Sequence, residues 1–327
     1  MSHYEHHQAA VEAETAQQAD MPPASISVDY LADVLQEALD STLEPKVAAL
    51  GDALLVRTLA ALEARVPRKV IVAVTKANGK EHAIKGRQHR QFEHLMRAAT
   101  LRLPDGYAPG IFLSGEHSSG KTTGCRHAAQ ALGLKWYFNG AISFAHEMLG
   151  FIDGNGKYHR TPFRDAYEHG GWYTFDEVDR SDPSAVLAVN PHLANSVATF
   201  PDAQIKRHPD CILSATGNTW GFGADAQYSG ATKLDAAFLS RFSVKLPWDI
   251  DEDLEAELVG AGPWLDCLRQ ARRRGRAAGL KVLVDTRAGI TGAALVAAGY
   301  SVDEAASMTF LAGLKPDQQR MLKGSVQ

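Results

Sequence analysis

Residues 115–122 read Gly-Glu-His-Ser-Ser-Gly-Lys-Thr, an ungapped match to the phosphate-binding pattern G-x-x-x-x-G-K-[ST]. Gly115 and Gly120 allow the backbone to curl, so that successive N–H groups point at phosphate oxygens. Lys121 places a positive charge on the β- and γ-phosphates, and Thr122 offers a hydroxyl to Mg²⁺. The residues predicted to contact a nucleotide are Gly115, Glu116, His117, Ser118, Ser119, Gly120, Lys121, Thr122 and Thr123.

The segments on either side of this phosphate loop suit a strand and a helix. Residues 111–114 read Ile-Phe-Leu-Ser, a short apolar run typical of a buried parallel strand. The residues after Lys121 predict a helix whose N-terminal dipole favours bound anions. The alternative is a glycine-rich turn that binds nothing, and the flanking strand and helix disfavour it. The sequence therefore predicts an α/β fold with a nucleotide site at the start of this helix.

The composition is typical of a globular chain, with 327 residues, 45% hydrophobic and 22% charged, and a formal net charge of −4. This charge argues against a surface that binds nucleic acid everywhere, but it leaves room for a local basic strip. Cys125, Cys211 and Cys267 are far apart, form no metal pattern and favour a reducing compartment. No apolar run approaches the roughly 18 residues that cross a bilayer. We therefore expect a cytoplasmic protein with no membrane partner.

The chain before the loop divides into two predicted regions. Residues 1–27 are rich in Ala, Gln, Glu and His, so we expect a disordered tail. Residues 28–68 have apolar residues at 3- and 4-residue spacings and predict an N-terminal helical segment, which packs either on its own core or on a partner. Residues 70–74 then predict a strand, Asn78-Gly79 a hairpin turn, and residues 82–84 the return strand.

An acidic pair follows a second apolar strand. Residues 172–175 read Trp-Tyr-Thr-Phe, and Asp176 and Glu177 come next. A carboxylate at a strand end can hold Mg²⁺, and its neighbour can orient the attacking water. We assign Asp176 to the metal and Glu177 to the water. The alternative is an acidic strand end without a catalytic role.

A third strand ends close to a polar residue. Residues 211–216 read Cys-Ile-Leu-Ser-Ala-Thr, and Asn218 follows after one glycine. A polar side chain at the tip of a central strand beside the loop can contact the γ-phosphate or its attacking water. We assign Asn218 to this role, although an isolated asparagine at such a place usually serves the turn itself.

These motifs occur in the order found in AAA+ ATPases. Within that superfamily the chain resembles the MoxR-type and cobaltochelatase-ATPase-subunit-like group, close to members encoded by bacteriophages and prophages. The resemblance implies a P-loop AAA+ doubly wound parallel sheet over residues 69–248 and a C-terminal helical lid over residues 249–327. It also implies a homo-oligomeric ring, usually a hexamer, with ATP and Mg²⁺ bound between subunits. The resembling stretches include residues 150–159, 161–164, 176–179, 200–202, 206–209 and 234–237.

The resemblance also assigns roles to two arginines. Arg241 would be the arginine finger that reaches the γ-phosphate of the neighbouring subunit; its alternative is a surface salt bridge. The family often has Asp where this chain has Ser240, which weakens one local contact. Arg287 matches the sensor 2 position, where a lid arginine touches the γ-phosphate of its own subunit; its alternative is an ordinary lid arginine. Relatives commonly have Pro where Thr286 stands, but Asp285 or Thr286 could still cap the following helix.

Three segments could contact a substrate. Residues 150–161 and 197–208 are hairpin-like, and in MoxR-type relatives hairpins at these places face the central pore. The aromatic residues Phe151 and Tyr158, beside Lys157, could grip a polypeptide or a nucleic-acid strand, or they could serve packing alone. The basic run at residues 272–276 is either a nucleic-acid contact or, as we favour, a solvated face of a lid helix.

We therefore expect an ATP-hydrolysing ring motor that remodels or matures a protein or nucleoprotein partner. Relatives of this type often work with a von Willebrand factor A-type partner; nucleic acid is not favoured. The alternative is a nucleotide-gated scaffold whose ATP-bound ring recruits a partner. A P-loop kinase of small molecules is disfavoured, because the spacing of Asn218, Arg241 and Arg287 suits AAA+ geometry.

Overall fold

A five-stranded parallel sheet forms the centre of the fold, in a computed structural model that describes residues 72–75, 81–84, 86–224 and 228–324. In chain order the strands are β1 (Val72–Thr75), β2 (Glu81–Ile84), β3 (Ile111–Ser114), β4 (Trp136–Asn139), β5 (Phe151–Ile152), β6 (Tyr158–His159), β7 (Gly171–Phe175), β8 (Val197–Thr199), β9 (Gln204–Lys206), β10 (Cys211–Gly217) and β11 (Val244–Pro247). The predicted tail, the N-terminal helical segment and the Asn78-Gly79 turn lie outside the described residues.

The helices are α1 (Phe92–Thr100), α2 (Lys121–Ala131), α3 (His146–Leu149), α4 (Pro162–His169), α5 (Pro183–Leu187), α6 (Asn190–Ala194), α7 (Ala236–Ser240), α8 (Glu252–Val259), α9 (Pro263–Ala277), α10 (Thr286–Ala297), α11 (Val302–Met308) and α12 (Pro316–Lys323). Within the described ranges, none of them has the length and apolar character that a membrane span needs.

The central sheet has the strand order β11-β3-β10-β7-β4, and each neighbouring pair is parallel. Strands β3, β7 and β10 are buried along their whole length, as expected when helices cover both faces of a parallel sheet. Alternate residues of β3 point to opposite faces, because Phe112 belongs to one core cluster whereas Ile111 and Leu113 belong to another. The predicted doubly wound α/β fold is confirmed.

This topology brings three strand ends together at one edge of the sheet. Strand β10 lies between β3 and β7, with Gly217 paired to Ser114 and Ala215 paired to Phe175. Parallel strands end on the same edge, so the loop after β3, the acidic pair after β7 and Asn218 after β10 become neighbours.

Helices α8 to α12 enclose a small core of their own, which includes Trp264, Leu268 and Phe310. Gly292 makes room for the indole of Trp264, since a Cβ at this position would lie 1.8 Å from a ring carbon. The indole N–H donates to the Gly289 carbonyl at 2.8 Å. The predicted helical C-terminal part of the fold is therefore confirmed.

A buried ion pair fastens helix α8 to helix α9. Glu255 is 1% exposed, and its carboxylate accepts from both terminal nitrogens of Arg272, one of them at 3.0 Å. Thr286 also donates to Glu255 at 3.0 Å. Burial alone would raise the pKa of Glu255, but the bonds from Arg272 overcome this and hold the pKa below its usual value. Glu255 therefore stays charged near neutral pH and depends on Arg272 as its partner.

We expect Arg272→Met to lower the free energy of unfolding by about 3 kcal/mol, because it leaves the Glu255 carboxylate buried without its main cation. Chemical denaturation followed by circular dichroism measures this loss. The matched control is Arg273→Met, an exposed position on the same helix, which should change stability by less than about 0.5 kcal/mol. Equal stabilities of the two variants would show that the pair does not stabilise the fold.

Both predicted hairpins are present, as β5–β6 and β8–β9, and β1 pairs with β2 as predicted. Buried Arg164 joins the two hairpins, since it donates to Asp202 at 2.8 Å and its guanidinium lies 5.6 Å from the centre of the Tyr158 ring. Phe151 is 47% exposed and stacks on His159, with ring centroids 4.7 Å apart. Tyr158 thus serves packing, whereas about half of the Phe151 side chain remains exposed.

Candidate active site

The phosphate loop joins the end of β3 to the start of α2. Gly120 has φ 88°, and Ser118 also lies in the left-handed region with φ 56°. At Gly115 a Cβ would lie 2.1 Å from the carbonyl oxygen of Trp248, so this position needs glycine. The two glycines were predicted from the motif, and the structure gives each a separate physical reason.

Lys121 is buried inside the loop that it follows. Its ammonium donates to the carbonyls of Gly115 and Glu116, both at 2.8 Å, and to Asn218 Oδ1 at 3.1 Å. Burial lowers the pKa of Lys121 from 10.5 to about 8, although the carboxylates of the site oppose this shift, Asp179 most strongly. The site thus holds a desolvated positive charge where the motif places phosphate.

Thr122 and Asp176, the two residues predicted to hold Mg²⁺, are in direct contact. Thr122 Oγ1 donates to Asp176 Oδ1 at 2.8 Å, and Thr216 donates to the same carboxylate oxygen. The hydroxyl and carboxylate oxygens are ligands that suit Mg²⁺, which usually takes one or two protein carboxylates together with substrate phosphates. No group of three or more His, Cys, Asp or Glu side chains that could hold a metal occurs in the described part of the chain. The donor set therefore fits Mg²⁺ bound together with a nucleotide.

Glu177 lies beside this pair in a constrained backbone conformation. Its φ of 51° is in the left-handed region, which is uncommon for glutamate. Its N–H donates to Thr216 Oγ1 at 3.2 Å, while its side chain is exposed. The exposed carboxylate can therefore reach a water molecule at the mouth of the loop.

Asn218 is 9% exposed, and its side-chain NH₂ group makes no hydrogen bond to the described residues. Its Oδ1 accepts from Lys121, but its Nδ2 is buried and has no hydrogen-bond partner among the described residues. A buried donor without a partner costs free energy, and such groups mark places where a ligand or water completes the bonding. A contact from Asn218 to the γ-phosphate or to its attacking water requires such an N–H without an internal partner.

A cavity of about 480 Å³ extends from the phosphate loop towards the C-terminal helices. Its lining also includes aromatic and aliphatic side chains, among them His89, Phe92, Trp248 and Ile290. The rings of His89 and Trp248 stack with centroids 4.2 Å apart. Flat, apolar walls of this kind accept a nucleotide base.

His89 is held neutral by its surroundings. Its Nδ1 accepts the N–H of Gln91 at 3.1 Å, so Nε2 has the proton and donates to the Asp249 carbonyl at 2.7 Å. Burial lowers the pKa of His89. Sequence reasoning missed His89 and Trp248, because neither belongs to a motif and only tertiary packing brings them together.

The C-terminal helices touch the phosphate loop at two points. Ser118 Oγ donates to Asp285 Oδ2 at 2.7 Å, and Arg276 forms an ion pair with Glu116. Asp285 is also the N-cap of α10, accepting the N–H of Ala288 at 2.9 Å. Arg287, in the first turn of this helix, lines the cavity and is exposed. The helical part thus reaches the loop through Glu116 and Ser118, two variable positions of the motif.

Arg241 lies apart from the other predicted site residues. It is exposed at the end of α7, does not line the cavity, and forms no ion pair within the described residues. His117 and Thr123 do line the cavity, as do the remaining loop residues from Ser118 to Thr122. A single chain thus brings the predicted site residues together around the phosphate loop, with the exception of Arg241.

The basic run differs from the favoured expectation of a solvated face. Arg272 is the buried partner of Glu255, Arg274 donates to the Leu322 and Lys323 carbonyls, and Arg276 pairs with Glu116. Only Arg272 is buried, Arg274 is half-buried, and Arg273 and Arg276 are exposed, so the run is solvated in part.

No protein-family model and no curated protein matches the chain. Solved structures similar to it include a point mutant of RuvB from Thermotoga maritima (12% identity over 67% of this chain and 68% of that chain, TM-score 0.45). The RuvB Holliday junction branch migration motor of the same organism has 13% identity over 66% of this chain and 68% of that chain, with TM-score 0.42. NtrX from Brucella abortus has 14% identity and TM-score 0.39, and the match covers 92% of this chain but 59% of NtrX. The interpretation of the site rests on its own contacts.

Proposed function

We propose that this chain is a Mg²⁺-dependent ATPase of the AAA+ type. The observation that supports it most is the convergence of Lys121, the Thr122–Asp176 pair, Glu177 and Asn218 in one cavity, whose lining also includes the stacked rings of His89 and Trp248. The phosphates lie against the loop N–H groups and the Lys121 ammonium, and the base lies near His89 and Trp248. Thr122 and Asp176 would hold Mg²⁺, which would neutralise phosphate charge there.

The remaining groups act in the hydrolysis step. Glu177 accepts a hydrogen bond from the attacking water and orients it towards the γ-phosphorus. The free Nδ2 of Asn218 donates to the γ-phosphate or to the same water. Arg287 approaches the γ-phosphate from α10, and Arg241 reaches it from another copy of the chain, because its exposed position serves no site in its own subunit.

We propose further that the ring is a hexamer of the MoxR-like type in the cytoplasm, and that turnover is coupled to a protein partner. The contacts Ser118–Asp285 and Glu116–Arg276 connect the phosphate loop to the lid and transmit its change of state. Exposed Phe151 on the β5–β6 hairpin suits a polypeptide better than a nucleic acid, since the nearby Arg160 is already paired with Asp165 and Glu168. A von Willebrand factor A-type partner is supported by the family resemblance alone.

Replacing Lys121 with methionine tests the nucleotide site and should have two effects. ATP binding, measured by calorimetry, is lost because the phosphates lose their main cation. The stability of the nucleotide-free protein should also lose one contribution to its pH dependence, because the folded-state pKa of Lys121, about 8, lies below the unfolded value of 10.5.

The direction in which the free energy of unfolding changes with pH follows from these two pKa values. Below pH 8 the lysine is charged in both states, so its burial penalty is complete; as the pH rises from 8 towards 10.5, the folded protein binds fewer protons and the penalty disappears. The free energy of unfolding of the wild type, relative to that of Lys121→Met, should therefore rise over that range. The control Lys157→Met, at an exposed hairpin position, should change neither property. Undiminished ATP affinity in the Lys121 variant would overturn the proposed site.

A further inference from the structure

Asp179 is a buried carboxylate for which the nucleotide motifs have no role. It lies in the single 3₁₀ turn Val178–Arg180, directly after Asp176 and Glu177, and is 1% exposed. It forms no ion pair with the described residues and does not line the cavity. Asp179 is the carboxylate that most raises the pKa of the Lys121 ammonium, but it contacts no cation directly among the described residues, and a charge buried in this way is costly unless hydrogen bonds satisfy it.

The hydrogen bonds to the Asp179 side chain all come from the turn after β10. Its Oδ2 accepts from the N–H of Asn218 at 2.9 Å, from the N–H of Thr219 at 2.8 Å and from the Thr219 hydroxyl at 3.1 Å, whereas its Oδ1 has no partner among the described residues. Gly217 permits this approach, since a Cβ there would lie 3.2 Å from the Asp179 carboxyl carbon. Charge-assisted bonds of this kind are stronger than neutral ones and fix the turn in one geometry.

Two sets of hydrogen bonds therefore connect the segment after β7 with the end of β10 and the turn that follows it. Glu177 donates its N–H to Thr216, and Asp179, two residues further along the chain, accepts from Asn218 and Thr219. The first bond fixes the residue that orients water; the second fixes the residue whose free Nδ2 faces the γ-phosphate end. A shift of the turn would alter the distance between Glu177 and Asn218.

We propose that Asp179 is a positioning residue for ATP hydrolysis, setting Asn218 against Glu177 through the backbone of the turn. The inference rests on the proposed ATPase function. It goes beyond the motif, because the residue acts without touching nucleotide, metal or water.

The experiment measures kcat for ATP turnover and the ATP dissociation constant of the full chain and its variants. Asp179→Ala should lower kcat by about 10–100-fold, the rate equivalent of losing hydrogen bonds to a charged group. Asp179→Asn retains one acceptor oxygen and should lower kcat by only about 3–10-fold. ATP affinity should change by less than about fivefold in both, because Asp179 lies outside the cavity lining.

A double-mutant cycle separates positioning from general damage. Asn218→Ala alone lowers kcat, and adding Asp179→Ala should then lower it by less than about threefold more, since the residue to be positioned is already gone. A merely structural role would reduce kcat by the same factor in both backgrounds. The control Asp182→Asn, at an exposed helix N-cap with similar bonds, should keep kcat within about twofold.

Each possible result either supports or overturns the positioning role of Asp179. Wild-type kcat in Asp179→Ala, or full multiplication of the two losses, overturns the positioning role while the ATPase function stands. If Asp179→Ala is unfolded by circular dichroism, Asp179→Asn decides, and a wild-type kcat in that variant overturns the proposal. A wild-type protein without ATP turnover overturns the proposed function, and the inference falls with it.

Discussion

Alanine in place of Arg241 is expected to slow ATP turnover by about 10³–10⁵-fold, the range known for arginine fingers, and to leave ATP binding nearly unchanged. A guanidinium stabilises the charge that develops on the transferring phosphoryl group, whereas ground-state binding depends on the loop and Lys121. In the single chain Arg241 is exposed and does not line the cavity, and the proposed function has a second copy of the chain supply it. Steady-state phosphate release and calorimetric ATP binding measure the two effects separately.

Mixing of inactive variants tests the action of Arg241 between subunits. In a ring assembled from equal amounts of Arg241→Ala and Glu177→Gln proteins, about a quarter of the sites should combine an intact Glu177 with an intact Arg241 from the neighbour. Activity should therefore reappear on mixing. The matched control Arg126→Ala, an exposed position on α2, should retain full turnover. Mixtures that stay inactive after co-assembly would rule out a finger supplied by the neighbouring subunit.

Glutamine in place of Glu177 is expected to reduce kcat by about 10²–10⁴-fold while ATP stays bound. The amide has nearly the same shape as the carboxylate but cannot accept the water's proton. The backbone N–H that bonds to Thr216 is unaffected, so the geometry of the turn should persist. Single-turnover phosphate release and retention of bound ATP measure the effect.

Glu257→Gln is the matched control for this variant, because Glu257 is exposed on α8 and does not line the cavity. It should turn over ATP at the wild-type rate. Equal rates in the Glu177 and Glu257 variants would remove Glu177 from the mechanism and leave the exposed carboxylate without a proposed role.

Local sequence was sufficient to predict the parts of the site that follow strands. The phosphate loop, Asp176, Glu177 and Asn218 each come directly after a buried apolar run, and parallel strands bring such ends to one edge. The contacts Lys121–Asn218 and Thr122–Asp176 follow from that rule. The position of each motif after a strand thus predicts that the motifs lie close together in the folded chain.

Residues that act through tertiary packing were not predictable in this way. His89 and Trp248 are far apart in sequence and meet only because α1 and β11 pack around the loop. Asp179 belongs to a resembling stretch of sequence, but its bonds to Asn218 and Thr219 depend on the register of β7 beside β10. The expectation of a solvated basic run fails at Arg272, which is buried against Glu255, because charge density alone does not show which arginine faces a core.

Phosphate release from ATP by the purified full chain with Mg²⁺, measured together with the nucleotide that remains bound, tests the central claim most directly. We expect the wild type to convert ATP to ADP and inorganic phosphate, with water as the acceptor, and Glu177→Gln to retain unhydrolysed ATP. A wild type that releases no phosphate, or that passes the γ-phosphoryl group to another acceptor, would contradict it.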